Sequence, residues 1–275
     1  MLSMASRVSP WVKAGLSNAN PLSVRLSGFR HQSRCGVRHG GFYHWRMAFT
    51  IDPRQAELLG HDLHLPPLSA DRWSAAALAE RFRSPPLWQP DVEVERWYQA
   101  PNPSPAAVLV PLVMRQQPSV LLTQRTAHLK KHAGQISFPG GRAEPTDPDP
   151  VATALREARE EVGLAPERVN VLGSLPTYTT GTGFVVTPVV GLITPMAHEL
   201  DCLNLVHDPN EVDEVFEVPL AFLMDPRHHQ RRAFDLAGTK LEFFSMPWQS
   251  NPEKEYFIWG ATAAMLRNLY RFLSA

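Results

Sequence analysis

Apolar and polar positions change their period several times along this chain, and the changes set out strands and helices in alternation. Residues 106–114 and 119–123 are apolar runs on either side of the polar turn Gln116-Gln117-Pro118, which predicts two neighbouring strands. Further runs predict strands near 169–175, 184–193, 240–244 and 256–259. Helical segments read differently. Ser69-Ala70-Asp71 reads as the cap of a helix carrying Trp73, Ala76, Leu78, Ala79 and Phe82, and Asp52-Pro53 opens a shorter one ahead of it. A helix over 151–162 stops at the capping pair Gly163-Leu164. A last helix over 261–273 places Ala264, Leu266, Leu269 and Phe272 where they cover a sheet face. Residues 84–105 read as an irregular connection and 125–137 as a basic loop, with Phe138-Pro139-Gly140-Gly141 as a sharp turn. The cluster Arg227-His228-His229-Gln230-Arg231-Arg232 reads as an exposed loop. No internal repeat appears. Strands mixed with a few helices predict an α/β sandwich over 105–275, with 47–104 as a helical extension packed on it.

The chemistry lies in the middle helix. Glu157 and Glu161 are i,i+4 neighbours on one face, and Glu160 is i,i+3 from Glu157. Taken alone, the segment Arg156-Glu157-Ala158-Arg159-Glu160-Glu161 has an ordinary reading as a solvated face with an Arg156–Glu160 ion pair. Its position argues for more. The acids occupy the last turns of the helix, where the negative end of the dipole disfavours carboxylates. A divalent cation reverses that energy. Clustered carboxylate oxygens suit Mg2+ or Mn2+, which usually also bind substrate phosphates.

These residues resemble the Nudix box: a glycine, an acid, then Arg-Glu-x-x-Glu-Glu-x-Gly-hydrophobe. Gly141, Arg156, Glu157, Glu160, Glu161, Gly163 and Leu164 carry the match. The acid six residues after the glycine is Asp147 rather than Glu. Eight residues, not seven, separate it from Arg156, and Pro145, Pro148 and Pro150 fill the stretch. Upstream, LLTQRTAHLKKHAGQISFPGG resembles the signature of the coenzyme A diphosphatase branch, through Leu121, Leu122, Thr123, Arg125, Gly134, Phe138, Pro139, Gly140 and Gly141. The resemblance covers roughly 105–273 and implies a Nudix α/β/α sandwich with a mixed sheet between helices.

It further implies Mg2+- or Mn2+-dependent hydrolysis of CoA, or an acyl or oxidised derivative, to 3′-phospho-AMP and 4′-phosphopantetheine. Glu157 and Glu161 are then the principal metal ligands, with Glu160 as a further ligand or water-orienting base. The Gly140 carbonyl is a possible added oxygen donor, and Arg156 positions the carboxylates. A loop acid beyond the box is expected as well, Glu211 ahead of Glu214. Arg125, Lys130, Lys131 and Arg142 flank the glycine turn and are candidates for the substrate's phosphates. Two alternatives stay open: a Nudix enzyme for another nucleoside diphosphate such as ADP-ribose, or a Nudix module that binds without catalysis.

Composition narrows the partners. The chain has 275 residues, 27 basic and 27 acidic, but Arg7, Lys13, Arg25, Arg30, Arg34, Arg38 and Arg46 all precede the first acid, Asp52. The remaining 20 basic residues face 27 acids, a balance of −7 that argues against nucleic acid as partner. No apolar run reaches the ~18 residues of a membrane span. The expected partner is a small-molecule substrate, and a homodimer is left open. Cys35 and Cys202 are too few for a disulfide framework. The acid-free stretch 1–46 resembles a mitochondrial targeting peptide. The reading preferred over targeting is an unstructured tail, or sequence ahead of a start at Met47. The compartment expected is cytoplasmic, or mitochondrial if that leader is real.

Overall fold

The computed structural model describes residues 52–92, 102–128, 134–199, 202–236 and 239–275. The expectations for the N-terminal 46 residues, Cys35, Met47, Lys130 and Lys131 lie outside the described residues.

In chain order the elements are β1 (Glu57–His61), α1 (Ala75–Arg83), β2 (Ser104–Val113), β3 (Ser119–Arg125), β4 (Ile136–Ser137), β5 (Gly140–Arg142) and α2 (Pro150–Val162). There follow β6 (Val169–Ser174), β7 (Tyr178–Thr179), β8 (Phe184–Ile193), β9 (Val212–Pro219), α3 (Leu220–Leu223), β10 (Gln230–Leu236), β11 (Thr239–Asn251), β12 (Lys254–Trp259) and α4 (Gly260–Ser274).

Among the described residues these strands form two sheets. The larger runs β4-β3-β2-β8-β6, with β5 beside β2, β7 beside β8 and β9 beside β3. Its centre is the parallel pair β2–β8, in register from Ser104↔Phe184 to Val113↔Ile193, while its other pairs are antiparallel. Both faces of β2 are covered, and that is why its sequence is apolar without alternation. Ala107, Leu109 and Val113 point to one core with Ala154, Ala158 and Val162 of α2. Ala106, Val110 and Leu112 point to the other, with Leu266, Leu269 and Phe272 of α4. The smaller antiparallel sheet, β1-β10-β11-β12, packs with α4 on that second side. The result is an α/β sandwich with α2 on one face of the mixed sheet and α4 with the smaller sheet on the other.

Several expectations need correction. The segment 47–104 is not purely helical: β1 pairs with β10, Glu57 opposite Ala233 and His61 opposite Gln230. Its helix also starts later than expected. Ser69 precedes only a 3-10 turn, Ala70–Trp73, and extended Ser74 then caps α1 by accepting from the Ala77 N–H (3.2 Å). Leu68 and Leu78 are part of the main core, so this segment packs into the body of the fold. The glycine turn is in part a strand, with Gly140, Gly141 and Arg142 pairing with Val108, Ala107 and Ala106.

The cluster 227–232 is no exposed loop. Gln230, Arg231 and Arg232 belong to β10, and His229 is fully buried. Its charges find partners contributed by 52–92, which no local pattern reveals. Arg232 donates to the Ala56 carbonyl (3.2 Å), and Arg231 faces Asp62 (3.3 Å). His229 Nε2 lies 2.7 Å from the Leu223 carbonyl and Nδ1 lies 3.0 Å from an Arg267 nitrogen. A carbonyl only accepts and a guanidinium only donates, so the ring carries its proton on Nε2 and is neutral. Burial pushes its pKa down to about 3, the Leu223 bond opposes this, and the Arg267 charge adds to it. Protonation therefore favours the unfolded chain between about 3 and 6.5. The His229 contribution is fully present above the unfolded pKa and is lost as pH falls. The unfolding free energy from urea titrations is expected to drop by about 2 kcal/mol from this group alone between pH 7.5 and 5. A pH profile equally steep in His229→Gln would contradict the assignment.

Candidate active site

Helix α2 is built to end where it does. Asp149 caps it, its carboxylate accepting from the Ala152 N–H (2.8 Å), and Pro150 fills the first turn. At the other end Gly163 adopts the left-handed conformation, φ 70°, and its N–H returns to the Arg159 carbonyl. A Cβ there would lie 2.6 Å from the Val206 carbonyl oxygen, so glycine also lets the loop before β9 lie against the helix end. The Asp208 N–H donates to the Glu161 carbonyl (3.0 Å), and the Asp208 carbonyl accepts from the Glu211 N–H (3.1 Å). The same loop is tied to β3, where the Thr126 N–H donates to the Glu211 carbonyl (3.0 Å). These bonds bring Glu211 beside the carboxylates of α2.

Glu161 is the hub. Its side chain is only 4% exposed. One oxygen accepts from the Gly140 N–H (3.0 Å) and the other from Arg125 Nη1 (3.2 Å). Burial pushes its pKa up to about 7, opposed by the Gly140 N–H and the Arg125 charge and assisted by Glu157 and Glu211. Glu157, one turn earlier, is also pushed up, first by burial, against the pull of Arg156. Its carboxylate lies against the backbone of Gly141, where a Cβ would sit 2.5 Å from Oε1. Glycine is required there by space.

Arg156 is held from below. Its Nε and Nη2 donate to the two oxygens of Asp147 (3.1 and 2.9 Å), and Nη2 also donates to the Arg142 carbonyl (3.1 Å). Asp147 in turn accepts from Thr153 Oγ1 (3.0 Å) and the Glu144 N–H (2.9 Å). The Arg156 bond, above all, keeps the Asp147 carboxyl well below its usual range. Thus anchored, Arg156 Nη1 donates to Glu157 Oε1 and Glu160 Oε2, each at 3.0 Å.

Two buried or half-buried carboxylates, a nearby third from Glu211 and a backbone cradle form an oxygen-rich set of the kind hard divalent ions take. As placed, no three His, Cys, Asp or Glu side chains among the described residues surround a common point. Guanidinium groups from Arg125 and Arg156 stand at the carboxylate oxygens instead. The donor chemistry fits a divalent cation once those positive groups make room.

Residues 103–235 match the NUDIX domain. Over 169 residues the chain is 45% identical to a protein of Salmonella paratyphi B named "Uncharacterized Nudix hydrolase NudL", covering 61% of this chain and 82% of that protein. The chain belongs to the Nudix hydrolase family. A Salmonella newport protein of the same name matches to the same extent. Among solved structures, a MutT/nudix family protein from Enterococcus faecalis is 17% identical, covering 73% of this chain and 70% of that one with a TM-score of 0.40. Nudix hydrolases generally use divalent metal ions, and this one is an enzyme of that kind acting on a small-molecule substrate. No helix among the described residues is long and apolar enough to cross a membrane.

Within the Nudix frame, the structure brings together Glu157, Glu161, Gly140, Arg125 and Arg156 and sets Glu211 at their edge, its carboxylate 3.9 Å from Arg125. Glu160 is largely exposed and meets the cluster through Arg156. Arg142 lies exposed in β5, one residue past the Glu157 cradle. Glu214 is engaged elsewhere, accepting from Tyr256 Oη (2.8 Å) and Lys254 Nζ (2.5 Å). Thr153 and Asp208 escape a sequence reading, which names Asp147 but not its part in holding Arg156. Thr153 and Asp147 act through a loop whose path the prolines disguise, and Asp208 acts through its backbone. The only signal available was the N-cap Asp149, which fixes the helix start and so sets Thr153 beneath Asp147.

Proposed function

We propose that this Nudix hydrolase cleaves the diphosphate of coenzyme A or of an acyl or oxidised derivative, with Mg2+ or Mn2+. The observation that supports this reading most is the clasp at Glu161. Arg125 comes from the upstream LLTQR segment, Gly140 from the FPGG segment and Glu161 from the Nudix helix, and all three meet at one carboxylate. That the segment resembling the CoA branch contributes two of the three groups at this carboxylate supports the reading. Glu157 and Glu161 would hold the ion, which supplies charge neutralisation and an activated water when bound. Arg156, fixed on Asp147, orients Glu157 and Glu160. Glu211 is the candidate to accept the proton of the attacking water, because it stands at the edge of the cluster through Arg125, whereas Glu160 is turned toward Arg156 and solvent. Arg125 and Arg142 take phosphate oxygens, with Lys130 and Lys131 on the same segment.

Attack by water on a phosphorus breaks one phosphoanhydride bond and yields 3′-phospho-AMP and 4′-phosphopantetheine, the water oxygen remaining on one product. Incubation of the full chain with CoA and Mn2+ in 18O-labelled water, read by mass spectrometry, is expected to give both products with a single label. A large preference for ADP-ribose over CoA in competition would overturn the CoA assignment while leaving the family intact.

A further inference from the structure

Resting on that reading, we propose that Arg125 is a built-in counter-cation which fills the carboxylate pocket until a divalent ion displaces it. The guanidinium sits between Glu161 Oε1 (3.2 Å) and Glu211 Oε2 (3.9 Å), two acids brought from different elements. Its placement is specific. The register of β3 against β9 shifts between Gln124, opposite Glu214, and Arg125, opposite Val212, so the extra residue lies on β9 and Arg125 stands at the end of the regular ladder. The Arg125 backbone is held by the Gln135 carbonyl (2.9 Å) and the Gly134 N–H (3.1 Å), so only its side chain is left to move.

The two arginines of the site differ in this respect. Arg156 is anchored outside the acid cluster, on Asp147 and the Arg142 carbonyl. Among the described residues, the Arg125 guanidinium pairs with Glu161 and Glu211. A divalent ion held by Glu161 would compete for the oxygen that the Arg125 guanidinium now occupies. The two cannot share the oxygen without strong repulsion in a poorly solvated pocket. Arg125 must therefore turn away as the ion enters, and its planar fork is then free to meet a phosphate oxygen pair. The exchange gives one residue two successive partners: it neutralises the buried acids before loading and faces the substrate afterwards.

The test is metal binding itself. Free Mn2+ is counted by electron paramagnetic resonance during titration of the full chain at pH 8.5, for wild type, Arg125→Gln and Arg125→Lys. Arg125→Gln is expected to bind Mn2+ roughly tenfold tighter or more, because one positive charge no longer competes. Arg125→Lys, which keeps the charge, is expected to stay near wild type. Equal or weaker binding by a folded Arg125→Gln overturns the proposal. A Mn2+-loaded crystal structure of the wild type gives a second reading that needs no variant. The guanidinium should have left Glu161, and an ion on Glu161 with Arg125 still bonded to the same oxygen overturns the inference. Wild-type protein that binds no Mn2+ would sink the metal-dependent function on which this rests. Bound Mn2+ with the wrong order of affinities would sink the Arg125 proposal alone.

Discussion

Glu161→Gln is expected to lower kcat on the order of 10³-fold while making the metal-free protein more stable at pH 8. The two effects have one cause. A carboxylate at this position is buried, and burial raises its pKa to about 7. Between about 4.5 and 7 the folded protein holds a proton that the unfolded chain has released. Stability of the metal-free form is thus highest below the unfolded pKa, falls as pH rises through this window and stays low above it. The full cost is on the order of 3 kcal/mol. Glutamine removes the charge and with it most of that pH dependence, although the bond to Arg125 is weakened. The lost ligand deprives the reaction of a contribution worth several kcal/mol, hence the kinetic estimate. Urea unfolding at pH 5 and pH 8 with a chelator, alongside turnover with Mn2+, checks both halves. A variant that is less stable than wild type at pH 8, with an unchanged pH slope, would show that Glu161 is not an ionised group held at a cost. A variant with full activity would remove it from the metal site.

That cost explains why the helix could be read from the sequence and its surroundings could not. Spacing alone places Glu157 and Glu161 on one face of α2, and the Gly163 cap places them near its end. Strand β8 was equally plain, because a continuous apolar run over 184–193 leaves few other outcomes when both faces are covered. Strands β1 and β10 were hidden for the opposite reason. Their sequences carry Glu57, Arg231 and Arg232, and each finds a partner far along the chain: Lys240 for Glu57, Asp62 for Arg231 and the Ala56 carbonyl for Arg232. Charge that pairs across the fold looks from the sequence like charge that faces water. The anchor of Arg156 shares this character. Asp147 departs from the usual acid and spacing of the box, and Pro145, Pro148 and Pro150 obscure where it goes, yet it accepts two bonds from Arg156 and one from Thr153. The register slip beside Arg125 is likewise a property of two strands together, since β9 must be present for it to exist.

Gly141→Ala is expected to cost about 10- to 100-fold in kcat with little loss of fold stability, the size of effect seen when a ligand's support is disturbed. Its backbone lies in the ladder with Ala107, a pairing that alanine tolerates. The added Cβ would instead fall 2.5 Å from Glu157 Oε1 and 2.6 Å from its carboxyl carbon. Something has to yield, and the end of a glutamate side chain yields more readily than the strand. The carboxylate is then pushed off the backbone, and its bond to Arg156 Nη1 is strained with it. Mn2+ affinity should weaken along with kcat, since the same displacement spoils both. Thermal unfolding should move little, which separates this outcome from a general packing defect. A Gly141→Ala protein that unfolds at a much lower temperature, or one that keeps wild-type Mn2+ affinity and turnover, would mean that Glu157 does not need the space beside Gly141 to do its work.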